Sequence, residues 1–130
     1  MKKLYVVGNK ASKSLSPTIF NYWFRKYNIK ASYGYLELTE KNFHNKIKDI
    51  LEKKDTLGLN VTIPFKNKII KHLGKIDAHA KKIGAVNCVT NKKTISGTNT
   101  DWAGYYKTLP NIKKTKNRKV IILGLSLIHI

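Results

Sequence analysis

Residues 57–66 read LGLNVTIPFK, an apolar stretch that is interrupted at Pro64. The stretch predicts a strand that ends before the proline, because proline has no N–H to donate to a sheet. Side chains alternate along a strand, so Asn60 and Thr62 point to one side and the following turn carries Lys66. Polar residues at a strand end indicate a ligand site, since open parallel sheets bind ligands at that edge.

Further apolar runs on both sides of this stretch predict strands and helices that alternate along the chain. Ser16-Pro17 and Thr39-Glu40 indicate helix starts, because serine caps helices and proline suits the first turn. Strands that alternate with helices of about 12 residues indicate βαβ units. We therefore predict an α/β fold with an open, mostly parallel sheet and helices on both faces. The predicted strands are 4–8, 33–38, 57–63, 86–90, 94–96 and 119–124. The predicted helices are 16–28, 39–51, 69–73, 78–83 and 102–110. The apolar face of the first helix consists of Ile19, Phe20, Trp23, Phe24 and Tyr27, and that of the second consists of Phe43, Ile47, Ile50 and Leu51.

The composition fits one folded domain with a core, since 42% of the 130 residues are hydrophobic. No run of about 18 residues is free of charge, so no transmembrane helix is predicted, and residues 4–8 are too short for a signal-peptide core. Cys88 is the one cysteine, which excludes an internal disulfide and a cysteine-based zinc site. We expect no metal and a cytoplasmic location.

Lysine and arginine number 26 against 7 acidic residues, which gives a formal net charge of +19. These lysines either form a solvated surface or bind nucleic acid or another polyanion. Lysines occur in every part of the chain, whereas arginine, whose planar fork suits phosphate and base contacts, occurs only as Arg25 and Arg118. We therefore favour the solvated surface and interpret residues 113–119 as a basic linker.

Three more polar segments lie near predicted strand ends. Ser14 and Ser16 precede a helix, where two hydroxyls and the helix dipole can face an anion such as a carboxylate; alternatively, Ser16 only caps the helix. Asn87 follows small residues that permit close backbone approach, or it only forms a turn. Asp101 either caps the next helix or faces Lys66.

A lysine beside a pocket can orient a hydroxyl and exchange a proton with it when burial lowers the lysine pKa. If Asp101 faces Lys66, the carboxylate holds the ammonium in place and the two groups titrate together. The alternative is that Lys66 is one more surface lysine.

Together, these segments resemble one family, the shikimate dehydrogenases. The resemblance covers residues 1 to about 124, which correspond to the family's substrate domain and the first strand of its cofactor domain. Cys88 departs from the family pattern, which commonly has threonine there. The matching motifs, in family order and spacing, are SerLeuSerPro at 14–17, AsnValThrIleProPheLys at 60–66, GlyAlaValAsn at 84–87 and AsnThrAspTrp at 99–102.

The resemblance implies reversible hydride transfer between NADPH and the ring carbonyl of 3-dehydroshikimate, which gives shikimate. It also implies a role for each matching residue. These roles are carboxylate binding by Ser14 and Ser16, binding of ring hydroxyls by Thr62, Asn87 and Asp101, and substrate contact and proton transfer by Lys66 together with Asp101.

The family continues after this strand into a glycine-rich turn that receives the NADP pyrophosphate, but only Gly124 of that pattern is present. We therefore expect a substrate domain at 1–101, a helix and basic linker at 102–118, and an incomplete Rossmann domain at 119–130. We expect a truncated gene product with a foreign or frame-shifted tail at 125–130, which binds substrate but is inactive alone. The alternatives are a free-standing module for a small hydroxy acid and a basic domain for polyanions.

Overall fold

The computed structural model of the chain describes residues 1–109, which form one six-stranded sheet with helices packed against it. The strands are β1 (Lys2–Gly8), β2 (Ala31–Glu37), β3 (Thr56–Val61), β4 (Lys75–Ile76), β5 (Cys88–Asn91) and β6 (Ile95–Thr98), and the helices are α1 (Ser16–Lys26), α2 (Phe43–Leu51), α3 (Ala78–Ile83) and α4 (Thr100–Thr108), with short 3-10 helices at Ala11–Lys13 and Lys68–His72.

The sheet is mostly parallel, with the strand order β2-β1-β3-β5-β6-β4. β1 pairs in parallel with β2 and β3, and β4 pairs in parallel with β6. β5 is antiparallel to both of its neighbours, β3 and β6. Every strand except β5 therefore runs in the same direction, which confirms the predicted open, mostly parallel α/β sheet.

Helices cover both faces of this sheet, as predicted. Val7 lies on one face, in the larger core cluster, where α2, α3 and the second 3-10 helix pack. Val6 lies on the other face, in a smaller cluster that α1 covers through Phe20 and Phe24. The predicted apolar stripe of α2 is confirmed, because Phe43, Ile47, Ile50 and Leu51 are all buried.

The apolar face predicted for α1 is only partly covered. No residue of α1 is fully buried, and Ile19, Trp23 and Tyr27 are among the exposed large hydrophobic residues. The ring of Phe20 contacts Trp23 and Phe24 on the same helix and stacks on Tyr33 of β2, with centroids 4.6 Å apart.

Several element boundaries differ from the prediction. α2 begins at Phe43 because residues 39–42 form a turn, in which the Thr39 N–H donates to Asn42 Oδ1 at 2.9 Å. α4 begins at Thr100, and the predicted helix at 69–73 is a 3-10 helix. β4 was not predicted, because a strand of two residues shows no periodicity. The predicted strand at 119–124, the basic linker and the tail lie outside the described residues.

Candidate functional site

A cavity of about 710 Å³ opens where β1 and β3 end. Because β5 is the reversed strand, its amino end lies at the same sheet edge as the carboxyl ends of β1, β3 and β6. Loops from four strands therefore meet around one space, as is usual for open α/β sheets. All of the predicted site residues line it: Ser14, Ser16, Thr62, Lys66, Asn87 and Asp101.

Lys66 and Asp101 form an ion pair in this cavity, in which Lys66 Nζ donates to Asp101 Oδ2 at 2.6 Å. Asn87 Nδ2 donates to the other carboxylate oxygen at 2.8 Å, so both oxygens of Asp101 are held. The Lys66 side chain is only 17% exposed. The interpretation of Lys66 as one more surface lysine is therefore wrong, and its ammonium is held by Asp101 at the lining of the cavity.

The cap of α4 is provided by Asn99, not by Asp101. Asn99 Oδ1 accepts from the Trp102 N–H at 3.1 Å, and Asn99 Nδ2 donates to the carbonyl of Ala85 at 3.0 Å. Asn99 is buried, and its capping role was not predicted although asparagine is a favoured cap. Because Asn99 satisfies the helix start, the Asp101 carboxylate is available to Lys66.

Asn87 is held by the start of the same helix. Its Oδ1 accepts from the Thr100 N–H at 2.8 Å, and its Nδ2 also contacts Thr100 Oγ1 at 2.8 Å. Its carbonyl accepts from the Val61 N–H at 2.8 Å, which ties it to β3. Asn87 is thus fixed between β3 and α4, and it is more than a turn-forming residue.

Gly84 precedes Asn87 by three residues, and its role differs from the predicted one of permitting close backbone approach. A Cβ at Gly84 would meet no atom within 4 Å, so close backbone approach does not require glycine here. Its φ is 74°, in the left-handed region that glycine adopts without strain, and it ends α3. The glycine therefore turns the chain back toward the cavity.

Ser14 and Ser16 lie on the rim of the cavity at the start of α1. The Ser16 N–H donates to Ser14 Oγ at 3.2 Å, which leaves the Ser14 hydroxyl hydrogen able to donate to an anion. Leu15 occupies the N-cap position and Ser16 is the first helical residue. The alternative that Ser16 only caps α1 is therefore wrong.

Glu37 at the end of β2 holds Ser12, which lies two residues before Ser14. Its Oε2 accepts from the Ser12 N–H at 3.1 Å and also from the Ser12 hydroxyl. These hydrogen bonds from Ser12 hold the pKa of Glu37 below its ordinary value. Glu37 was not predicted as part of the site, because nothing in the local sequence pattern indicates a contact across the 25 residues that separate it from Ser12.

The lining of the cavity is cationic. Lys10, Lys13 and Lys66 border it together with a single acid, Asp101. Because Asp101 is already paired with Lys66, the other two lysines leave a net positive charge beside the serines. Such a lining attracts a carboxylate or another anion.

Thr62 and Asn60 lie on the β3 side of the cavity, as strand alternation predicted. The end of β1 approaches Thr62 closely, since a Cβ on Gly8 would lie 2.5 Å from Thr62 Cγ2. Asn60 Oδ1 accepts from the hydroxyl of buried Tyr33 at 2.6 Å, and burial raises the pKa of that hydroxyl to about 12. Tyr33 was predicted as part of a strand but not as a residue of the site.

Within residues 1–109, no group of three or more histidine, cysteine, aspartate or glutamate side chains is placed to hold a metal ion. None of the helices in this part of the chain is long and apolar enough to cross a membrane.

The family model of the shikimate dehydrogenase substrate-binding domain matches residues 6–89. The chain belongs to this family. That match covers both serines, Thr62, Lys66 and Asn87, and it ends before Asp101.

The relatives that this chain matches are longer than the matched part. The NADP(+) shikimate dehydrogenase of Pelagibacter ubique is 39% identical over an alignment of 132 positions. The alignment covers 95% of this chain and 48% of that protein. The crystal structure of shikimate dehydrogenase from Aquifex aeolicus matches with a TM-score of 0.77 and 34% identity over 83% of this chain and 41% of that one. The chain therefore spans about half the length of the relatives that it matches.

One solved relative was crystallised with small molecules. The shikimate 5-dehydrogenase from Thermus thermophilus, in complex with NADP(H) and shikimate, matches with a TM-score of 0.75 and 27% identity, over 82% of this chain and 41% of that one.

Proposed function

We propose that this chain is the substrate-binding half of a shikimate dehydrogenase and that its cavity binds shikimate and 3-dehydroshikimate. The observation that carries the proposal is the Lys66–Asp101–Asn87 network, which shares one cavity with Ser14 and Ser16. A small acid with several hydroxyls needs an anion site and a set of hydroxyl partners. The cavity offers both in a chain that belongs to the family.

The substrate carboxylate lies against Ser14 and Ser16 in this proposal. The Ser14 oxygen is already an acceptor for a backbone N–H, so its hydrogen is left for the ligand. The net positive charge that Lys10 and Lys13 bring to the rim favours an anion at this end of the cavity.

The ring hydroxyls lie against Thr62, Asn87 and Asp101, and Lys66 is the proton-transferring group. Lys66 Nζ donates a proton to the oxygen of the ring carbonyl when this ketone is reduced to a hydroxyl. In the reverse direction, Lys66 takes the proton back from the hydroxyl. Asp101 keeps Nζ aimed at this oxygen through the 2.6 Å contact. These assignments make Lys66 and Asp101 catalytic residues of the complete enzyme.

The proposed cofactor of the complete enzyme is NADP, which the relatives' names support. Residues 1–109 do not fit this cofactor by themselves, because the Gly8 turn after β1 continues into Asn9 and Lys10 without the glycine-rich pattern that receives a pyrophosphate. We propose that 1–101 form the substrate domain, 102–118 connect it, and 119–130 begin the cofactor domain. A cytoplasmic location is also proposed, supported by the free thiol of Cys88.

Titration calorimetry of the 130-residue chain with shikimate tests this proposal. We expect saturable binding that weakens about 10- to 100-fold in Lys66→Ala and in Asp101→Asn, since hydrogen bonds to charged groups are lost. Lys68→Ala is the matched control, because Lys68 is a nearby lysine whose ion pair with Glu40 lies outside the cavity. Absence of binding, or equal losses in Lys66→Ala and Lys68→Ala, would contradict the proposal.

The polyanion alternative gives a different result in the same set of variants. A gel shift with nucleic acid that falls steeply with salt, and that is the same in Lys66→Ala as in the unmodified chain, would favour a basic binding domain. Shikimate binding without salt-sensitive nucleic-acid binding favours the proposed substrate-binding half of a shikimate dehydrogenase.

A further inference from the structure

Two histidine rings meet between α2 and the second 3-10 helix, and neither of them lines the cavity described above. His44 lies in α2, and His72 is the last residue of the 3-10 helix. His44 Nδ1 and His72 Nε2 are 2.8 Å apart, although 28 residues separate the two histidines along the chain. Imidazole nitrogens are the commonest metal ligands in proteins, so two of them held this close are a candidate ligand pair.

The buried ring of Phe43 holds both imidazoles in place. Each imidazole meets this ring at nearly a right angle, with centroids 5.3 Å away for His44 and 6.0 Å away for His72. Phe43 itself stacks on Phe65 in the core, with centroids 4.3 Å apart. The two imidazoles are inclined to each other by only 28°. Both rings are therefore oriented before any ion binds, which lowers the entropy that binding costs.

The separation of the two nitrogens indicates the class of ion. Metal–nitrogen bonds of about 2.0 Å that start from atoms 2.8 Å apart meet at an angle of about 90°. This angle is typical of square-planar and octahedral ions such as Cu²⁺ and Ni²⁺. Tetrahedral Zn²⁺ requires about 109°, which places its nitrogen ligands about 3.3 Å apart. The pair therefore accommodates Cu²⁺ or Ni²⁺ with less movement than Zn²⁺.

The surroundings of the pair also bear on which ion can bind. His44 is exposed and His72 is half-buried, so water can supply the remaining ligands. Lys68 lies four residues before His72, and its ammonium is paired with Glu40 at 2.7 Å, which weakens its repulsion of a cation. Because the chain carries a net charge of +19, the attraction must come from the metal–nitrogen bonds themselves. Among divalent ions, Cu²⁺ forms the strongest of these bonds.

We propose that His44 and His72 form a two-histidine site for a divalent ion of the Cu²⁺ or Ni²⁺ type, with water in its other coordination positions. When the ion binds, the hydrogen between the two nitrogens moves to the other nitrogen of the same ring, so both rings stay neutral. The ion links α2 to the segment that follows Lys66, because His72 lies six residues after this lysine. The site uses no residue of the cavity and is independent of the proposed function.

Calorimetric titration of the 130-residue chain with Cu²⁺, Ni²⁺ and Zn²⁺ tests this site. We expect one ion per chain, with Cu²⁺ and Ni²⁺ bound more tightly than Zn²⁺. His44→Gln and His72→Gln should each weaken Cu²⁺ binding at least about 10-fold, since even the loss of a contact that supports a ligand costs this much. His79→Gln is the matched control, because His79 is an exposed histidine on α3, outside the pair.

Three results of the titration would overturn the proposal. One is Cu²⁺ affinity that is unchanged in His44→Gln or in His72→Gln, which would leave these histidines only hydrogen-bonded to each other. Another is an equal loss in His79→Gln, which would mean that exposed histidines bind the ion without a built site. The third is Zn²⁺ binding as tight as that of Cu²⁺, which would contradict the angle of about 90°.

Electron paramagnetic resonance of the Cu²⁺ complex identifies the ligands directly. We expect coupling to two imidazole nitrogens in the unmodified chain and in His79→Gln, and to one in His72→Gln. The same coupling in His72→Gln as in the unmodified chain would assign the ion to other ligands and overturn the proposal. Thermal melts without metal show that each variant is folded, and added Ni²⁺ should raise the melting temperature of the unmodified chain but not that of His72→Gln.

Discussion

Thr56 is the single buried side chain within residues 1–109 that has a polar atom without a hydrogen-bond partner. It is 2% exposed at the start of β3, so its hydroxyl is removed from water without compensation. Valine has nearly the same shape and favours strands. We expect Thr56→Val to raise the free energy of unfolding by about 1 kcal/mol, measured by urea denaturation.

The control for this prediction is Thr56→Ser, which keeps the hydroxyl and removes the methyl group. It should lower the stability, because a cavity forms while the unsatisfied atom remains. Loss of stability in Thr56→Val would show that the hydroxyl has a partner.

At the scale of the element, two histidines join α2 to the second 3-10 helix. His44 Nδ1 and His72 Nε2 are 2.8 Å apart, and the ion pair of Lys68 with Glu40 links the same part of the chain. Burial, together with the neighbouring His44, holds the pKa of His72 below its ordinary value of 6.5. His72 therefore binds a proton more readily in the unfolded chain than in the folded chain.

Stability should consequently fall as the pH is lowered through about 6.5, since the unfolded state takes up the proton first. Denaturation curves between about pH 8 and pH 5 measure this slope. We expect His72→Gln to reduce it, because the variant keeps a polar group near His44 and cannot titrate. An unchanged slope in His72→Gln would assign the pH dependence to other groups.

The contact between β3 and β5 depends on Gly58. A Cβ at this position would lie 2.4 Å from the carbonyl oxygen of Val89, a backbone atom that cannot move aside cheaply. We expect Gly58→Ala to destabilise the protein by about 1–3 kcal/mol in thermal or chemical melts.

Gly104→Ala is the matched control for this substitution. Gly104 lies within α4, and no atom is within 4 Å of an added Cβ. Alanine favours helices, so this variant should gain about 0.5–1 kcal/mol. If both variants lost stability equally, the close approach at Gly58 would not be the cause.

The same elements show what sequence reasoning can and cannot predict. Phe43 and Ile47 were identified as core residues because helical spacing is a local property. The reversed direction of β5 and the two-residue strand β4 were not predicted, because they depend on pairing with distant residues. Local patterns therefore predict the elements better than they predict the way in which these elements join.

The candidate site also contains residues that were predicted from the sequence and residues that were not. Lys66 and Asp101 were paired as a hypothesis, and the structure places them 2.6 Å apart. The roles of Asn99, Glu37 and Tyr33 were not predicted, because each residue holds a partner that is distant along the chain. Their contacts depend on three-dimensional proximity, which spacing along the chain does not encode.

At the scale of the whole molecule, the charge is strongly unbalanced. The chain carries 26 lysines and arginines against 7 acids, and in residues 1–109 three lysines form ion pairs with aspartate or glutamate: Lys3, Lys66 and Lys68. Most cations therefore repel one another across the surface, which opposes the compact state.

Added salt should stabilise this protein by screening the repulsion. We expect the melting temperature to rise as sodium chloride is increased from about 20 to about 300 mM, over which the screening length falls from roughly 20 Å to below 10 Å. A melting temperature that stays level or declines would show that the lysines are spaced too widely to repel, or that ion pairs dominate.

The hairpin of β5 and β6 offers a place to modify the molecule without blocking its cavity. Both strands have their cavity-side ends at Cys88 and Thr98, so residues 92–94 lie at the far end of the sheet. Four residues of strand separate that turn from the opening, a length of about 13 Å. An affinity tag, a fluorophore or a surface tether inserted at 92–94 would leave the mouth open to solvent, and new chain ends made there by circular permutation would do the same.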